Sequence, residues 1–228
     1  MLETRDVYLS GTRGNARLSG CSTTIRRGET VALVGRRGSG KSTLLQVLAG
    51  ILVPKKGTVQ VHKNAANLRG DTAFLGDTVP GPYHLTGRQW LDFWLDAAKA
   101  LKPSTRERVS RELERFSSGF VDAPVEHCSR TEGRILDFVR VAALDTPVLL
   151  LDAPDAGLSG YDFEALAASL EFQKAEGRTI VMTLDRPELA IRLCDRVLYM
   201  AGGCIVSESA RGEKDFANKL TREMGWAS

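Results

Sequence analysis

Cysteine is scarce in this chain, four in 228 residues. Cys21, Cys128, Cys194 and Cys204 show neither CxxC nor Cys/His ligand spacing, which speaks against a disulfide framework or a zinc site and for reduced thiols in a cytosolic protein. Long apolar runs are missing too. No stretch approaches the about 18 residues of a membrane span, and the opening MLETRDVYLS is already charged. Neither a leader nor an anchor is expected, and membrane contact would come through a partner. An excess of one charge sign is also missing: 31 basic and 28 acidic residues leave +3, with no basic stripe to grip a nucleic-acid backbone. No nucleic acid is expected as a partner. Low-complexity tracts and internal repeats are absent, and 43% hydrophobic with 26% charged residues is the make-up of a globular chain with one substantial core, or a core plus a small appended lobe.

What is present is a phosphate cradle. ETVALVGRRGSGKSTLLQVLAG reads as a β-branched-rich strand over Thr30 to Val34, a glycine loop, and an amphipathic helix bearing Leu44, Leu45, Val47 and Leu48. Gly35, four residues, then Gly40, Lys41 and Ser42 complete the P-loop pattern in the strand-to-helix setting it requires. Nucleotide binding is therefore expected from Gly35, Arg36, Arg37, Gly38, Ser39, Gly40, Lys41, Ser42 and Thr43. The glycines let backbone N–H groups close on phosphates, and the helix N-terminus adds its positive end. Lys41 is placed to reach the β- and γ-phosphates of a nucleotide, and the Ser42 hydroxyl to ligate Mg²⁺; the loop alone does not separate kinases, GTPases and transport ATPases. Further on, VLLLD is a buried strand delivering Asp152 to the same metal. Trp90, Phe93, Trp94, Ala97 and Leu101 recur at helical spacing and read as a core stripe rather than a ligand box, and Phe216, Leu220 and Met224 as the inner face of a last helix.

IRRGETVALVGRRGSGKSTLLQVLAGILVPKKGTVQV resembles the opening of ATP-binding cassette (ABC) nucleotide-binding domains. LTGRQWLDFW, ILDFVRVAALDTPVLLLDAP and TIVMTLDRPELAIRLCDRVLYMAGGCIV are similar to later cassette segments in order and spacing, so the resemblance covers nearly the whole chain. The wording LTGR and LD…A looks most like the drug and polysaccharide exporter branch typified by daunorubicin-exporter subunits. The resemblance implies an α/β P-loop NTPase cassette over 1–228: a mixed central sheet, an N-terminal antiparallel β-lobe, and a helical subdomain at roughly 80–145. It also implies head-to-tail pairing, as homodimer or heterodimer with another ATP-binding subunit, and a membrane-spanning transporter partner, with the chain cytoplasmic and peripheral to the inner face of the membrane.

Against the family's pattern, several positions are altered. The signature loop, usually LSGGQ, is CSRTE here: Ser129 keeps the hydroxyl for a γ-phosphate across the dimer, but Arg130 and Thr131 replace the glycines that allow close approach. Arg130 is either bulk in the wrong place or a trans cation on the γ-phosphate. Ala153 takes the place of the glutamate that activates water, and Leu184 that of the switch histidine, with Asp185 beside it. Asp77 stands for the Mg²⁺-touching glutamine, and Ser159 for an aspartate at the dimer contact. Arg13 or Tyr8 is left to stack on adenine. His62, His84 and His127 fall elsewhere and read as surface or lobe residues rather than displaced catalysts.

The expectation is an ATP-binding exporter subunit that holds Mg-ATP but turns it over slowly or not at all, since loss of a positioned base alone costs about 10²–10⁴ in rate. The alternatives are a soluble regulatory or scaffolding pseudo-ATPase and an enzyme of another P-loop class such as a kinase, for which no lid or substrate signature is visible. In a homodimer both composite sites lack a base. In a heterodimer with an intact partner, each site still lacks one half.

Overall fold

The computed structural model describes residues 1–11, 16–61, 68–76, 81–100, 102–117, 119–184, 186–213 and 216–223, and every structural statement concerns these. In chain order the elements are β1 (Leu2–Ser10), β2 (Ala16–Ile25), β3 (Thr30–Val34), α1 (Lys41–Leu48), β4 (Lys56–Val61), α2 (Leu68–Asp71), β5 (Thr72–Leu75), α3 (Gly87–Ala97), α4 (Pro103–Arg115), α5 (Arg130–Ala143), β6 (Val148–Leu151), α6 (Gly160–Ala175), β7 (Thr179–Thr183), α7 (Pro187–Leu193), β8 (Arg196–Ala201), β9 (Cys204–Ala210) and α8 (Phe216–Glu223).

Two sheets form. An antiparallel lobe has the order β2-β1-β4, and a six-stranded sheet runs β5-β6-β7-β3-β8-β9, parallel except for the antiparallel β8–β9 edge. This is the α/β architecture that the resemblance implied, mixed central sheet and N-terminal antiparallel lobe included.

The central strands read as unbroken apolar runs because both their faces are covered. Ala32, Val34, Leu149, Leu151, Ile180 and Met182 face one apolar cluster, shared with α3, α5 and α6. The alternate residues Val31, Leu33, Leu150, Val181 and Leu198 face a second cluster, closed by α1 and the β-lobe. The period of two along each strand thus builds two cores on one sheet.

The stripe on α3 is rotated from the expected one. A capping box between Thr86 and Gln89 fixes where the helix starts, and the buried residues are Gly87, Trp90, Leu91 and Leu95. Trp94 is half-buried, with Trp90 edge-on at 6.2 Å. Phe93 is 46% exposed and Ala97 is exposed, because both lie on the flank away from Leu91 and Leu95. Leu101 lies outside the described residues. On α8, Phe216 and Leu220 are buried; Met224 lies outside the described residues.

The four cysteines are free thiols. Burial pushes Cys21 up to about 11 and Cys194 up to about 12, so both stay protonated at neutral pH.

The helices that follow α3 are tied to the sheet by buried polar groups. Glu112 on α4 accepts from Ser169 Oγ at 2.5 Å and Gln173 Nε2 at 3.0 Å on α6. Arg178, entering β7, donates to the carbonyls of Ala142, Leu144 and Thr146, and to Thr146 Oγ1 and Gln173 Oε1. It closes the open carbonyls at the C-terminal end of α5, a service a cation performs well there. Replacing Arg178 by Met strands several buried acceptors, each costing about 1–3 kcal/mol. We expect the urea midpoint to fall by the equivalent of roughly 3 kcal/mol and the melting temperature by about 6–12 °C; an unchanged midpoint would remove Arg178 as a tie.

Candidate functional site

The glycine loop leaves β3 at Gly35 and enters α1 at Lys41. Gly35 has φ +149°, and a Cβ there would sit 2.2 Å from the Met200 carbonyl oxygen; at Gly40, φ +104°, it would meet the Arg17 carbonyl at 2.7 Å. No side chain fits either place. Gly40 caps α1 without any side-chain hydrogen bond, and the helix has no acid in its first turn, so its leading N–H groups face the loop unclaimed by a carboxylate. Lys41 Nζ folds back onto the Gly35 carbonyl at 2.6 Å, the Arg36 carbonyl at 3.1 Å and Ser39 Oγ at 3.5 Å. Arg36, Arg37 and Ser42 are exposed, Ser39 is buried, and Gly38 and Thr43 complete the turn.

Beside the loop, Asp152 follows β6, a buried carboxylate. Its Oδ1 accepts from Ser42 Oγ at 3.0 Å and from Thr183 Oγ1, at the end of β7, at 2.7 Å. Ser42 and Asp152 thus form a pair of oxygens, one neutral and one anionic. That pair fits Mg²⁺, which takes few protein ligands and fills its octahedron with water and phosphate. Among the described residues no group of three or more His, Cys, Asp or Glu is placed to hold an ion without such help. Asp77, expected as a further metal ligand, lies outside the described residues, as do Arg13, His62 and Asp185.

The next position holds Ala153 at φ +46°. Its N–H donates to Thr183 Oγ1 at 2.7 Å, which pins the left-handed turn. Its carbonyl accepts from Arg134 Nη2 at 2.9 Å, and Arg134 donates as well to the carbonyls of Asp152 and Gly76. The charged group added at this edge of the sheet is therefore a guanidinium. Leu184 is 4% exposed and belongs to the apolar cluster beneath α5 and α6; it brings no polar atom to the site.

Arg134 and Thr183 were not picked out by sequence reasoning. A signal for Arg134 did exist: a cation this close to the start of a helix opposes the helix dipole, so it needs acceptors elsewhere, and the chain ends of β5 and β6 supply them.

CSRTE forms the start of α5. Ser129 Oγ accepts from the Glu132 N–H at 3.2 Å, and Glu132 Oε2 accepts from the Ser129 N–H at 2.7 Å, a capping box that the S-x-x-E spacing encodes. Ser129 and Arg130 are exposed, and Arg130 makes no ion pair among the described residues. Thr131 Oγ1 donates to the Gly157 carbonyl at 3.4 Å, joining this loop to the turn after β6. Between the two lies a cavity of about 600 Å³, lined by Tyr83, Trp90, Arg130, Arg134 and Asp137. Ser159 caps α6 without a side-chain bond. Tyr8 is 45% exposed and lies across Gly20, whose Cβ would stand 2.9 Å from the phenol oxygen. His84 and His127 are exposed.

The sequence profile of the ABC transporter family matches residues 18–156. The chain is 29% identical over 96% of its length to the energy-coupling factor transporter ATP-binding protein EcfA2 of Methanospirillum hungatei, and spans 57% of that relative. It is 32% identical to the cytochrome c biogenesis ATP-binding export protein CcmA of Bordetella bronchiseptica, over 77% of this chain and 80% of the relative. Among solved structures, a dimeric ATP-binding cassette in a post-hydrolysis state with ADP and Pi matches with a TM-score of 0.80 at 21% identity, over 92% of this chain and 98% of that one, a likeness of fold. With a glycine loop, a strand-end aspartate and a two-sheet core in that order, the chain belongs to the ABC transporter family, as an ATP-binding cassette domain.

Proposed function

We propose that this chain, as one ATP-binding domain over 1–228, is the ATP-binding subunit of an ABC-type exporter that holds Mg-ATP on Gly35–Thr43 and hydrolyses it slowly or not at all. The observation that carries this reading is the chemistry at the end of β6. Asp152 is engaged by Ser42 and Thr183, Ala153 ends in a methyl group, Leu184 is in the core, and the group beside them is Arg134. A guanidinium keeps its proton at neutral pH and takes none from water. No described residue at this edge is placed as a general base.

The binding half is equipped. The loop N–H groups and Lys41 suit the phosphates, with Lys41 exchanging its carbonyl partners for them. Ser42 and Asp152 would hold Mg²⁺, which supplies charge neutralisation between the phosphate oxygens when bound. Thr183 holds Asp152 in place.

A second cassette, identical or different, would present its exposed Ser129 hydroxyl and Arg130 guanidinium to this loop; Ser129 keeps an O–H to donate after its capping role. A membrane-spanning partner docked on the α3 lobe, where Phe93 is exposed, would hold the chain at the inner face of the membrane. Export is the reading supported by the LTGR…LD wording, and the chain is similar to an export protein, CcmA.

Isothermal titration is expected to show Mg-ATP binding at one site per chain, lost by 100-fold or more in Lys41→Ala. Phosphate release should stay at least 100-fold below that of an intact cassette; a comparable rate abolished by Lys41→Ala would refute the slow-turnover reading. Ala153→Glu should leave ATP affinity unchanged and raise phosphate release, by no more than about 10² because the switch and signature groups remain absent. Sedimentation with Mg-ATP should show dimers that weaken several-fold in Arg130→Ala. Equal dimerisation would dispose of the Arg130 contact.

A further inference from the structure

A second cavity, of about 300 Å³, opens at the N-terminal edge of the parallel strands, the end of the sheet away from the glycine loop. Four arginines line it from three elements: Arg27 in the turn before β3, Arg108 and Arg111 on α4, and Arg178 at the start of β7. Glu112, Asp145 and Glu176 are its acids, so four positive groups face three negative ones.

The pairing leaves the positive charge uneven. Glu112 is taken by Ser169 and Gln173, with Arg115 at 3.6 Å. Asp145 binds Arg108 at 2.9 Å from an exposed position, and Glu176 is exposed at the rim. Arg178 spends its donors on carbonyls, Thr146 Oγ1 and Gln173 and forms a fixed cationic floor; burial, then Arg108, pulls its pKa down to about 10, with Asp145, Glu112 and Glu176 acting the other way. The side chains of Arg27 and Arg111 carry no hydrogen bond or ion pair among the described residues. Arg111 is nonetheless held in place, 5.4 Å over the Phe172 ring.

We propose that this cavity is an anion site for a small phosphate-bearing metabolite, separate from the P-loop, which on binding braces α4 against α6 and β7. The volume suits a small ligand rather than a macromolecule. Guanidinium forks from two elements, Arg27 before β3 and Arg111 on α4, above the fixed charge of Arg178, match a tetrahedral oxyanion, with acceptors on every side, better than a flat carboxylate.

Pyrophosphate, titrated calorimetrically without Mg²⁺ in 150 mM salt, is the probe. We expect two sites in the wild type, the loop and this cavity. Lys41→Ala should leave one, and Arg27→Ala with Arg111→Ala should weaken that remaining site at least tenfold, with Arg111→Lys intermediate. Arg27 and Arg111 are exposed, so their replacement spares the fold, and a wild-type count falling from two to one in the Arg pair carries the test even where Lys41→Ala does not fold. A single site in the wild type, or a second site indifferent to Arg27 and Arg111, overturns the proposal. Citrate binding as tightly as pyrophosphate overturns the assignment to phosphate.

Discussion

One carboxylate oxygen, Asp152 Oδ1, receives both Ser42 Oγ and Thr183 Oγ1, at 3.0 and 2.7 Å, and through them joins the ends of β6 and β7 to the first turn of α1. Asp152 is 5% exposed, and a buried carboxylate without such donors would be costly to keep. The strands Val148–Leu151 and Thr179–Thr183, packed on both faces by apolar clusters, have their polar ends joined here. Ser42 is held by the same bond at the start of α1, so the position of the phosphate loop depends on the central core through this contact. The site and the fold are stabilised by the same atoms.

The Arg134 guanidinium is built into that joint from the helical side. Its acceptors are main-chain carbonyls of Gly76, Asp152 and Ala153, groups that remain whatever side chain follows Asp152. The methyl group of Ala153 adds no acceptor to this set. The replacement of the family's glutamate removes the acceptor that would take a proton from water and leaves Lys41, Ser42 and Asp152 in place. In the proposed reading the two halves of the function therefore meet at one place: Ser42 and Asp152 are kept for the metal, and the residue after Asp152 offers no base.

How much of this was legible in the sequence varied with range. The strand, loop and helix from Thr30 to Leu48 were plain, because local periodicity and the glycine pattern are written in consecutive residues. The mixed sheet came through resemblance, as strand order is a long-range property: β3 lies between β7 and β8, whose residues are far along the chain. Phe93 was misplaced since a helix stripe read without its start has no fixed phase, and the Thr86–Gln89 box sets that phase. In CSRTE the comparison with LSGGQ drew attention to lost glycines, while S-x-x-E carried a local message, an N-cap, that the structure makes visible. Arg134 escaped because its acceptors sit 18, 19 and 58 residues away.

In the proposed reading nucleotide works by population, not by cleavage. A ligand shifts an equilibrium only as far as it prefers one state over another, so ATP acts here to the extent that a closed pair of cassettes adds contacts that an open one lacks. Those contacts must come from the exposed start of α5. The capping box holds Ser129 and the first turn rigidly, with Glu132 closing it from behind, so little ordering remains to oppose closure. Arg130 projects from that fixed turn as a cation where the family presents bare backbone. Bulk there limits how near the two chains approach, yet charge acts over a longer distance than a hydrogen bond. The clamp this predicts is looser in geometry and more sensitive to salt than one closed by glycines, and without a base to end the bound state, its lifetime is set by nucleotide release.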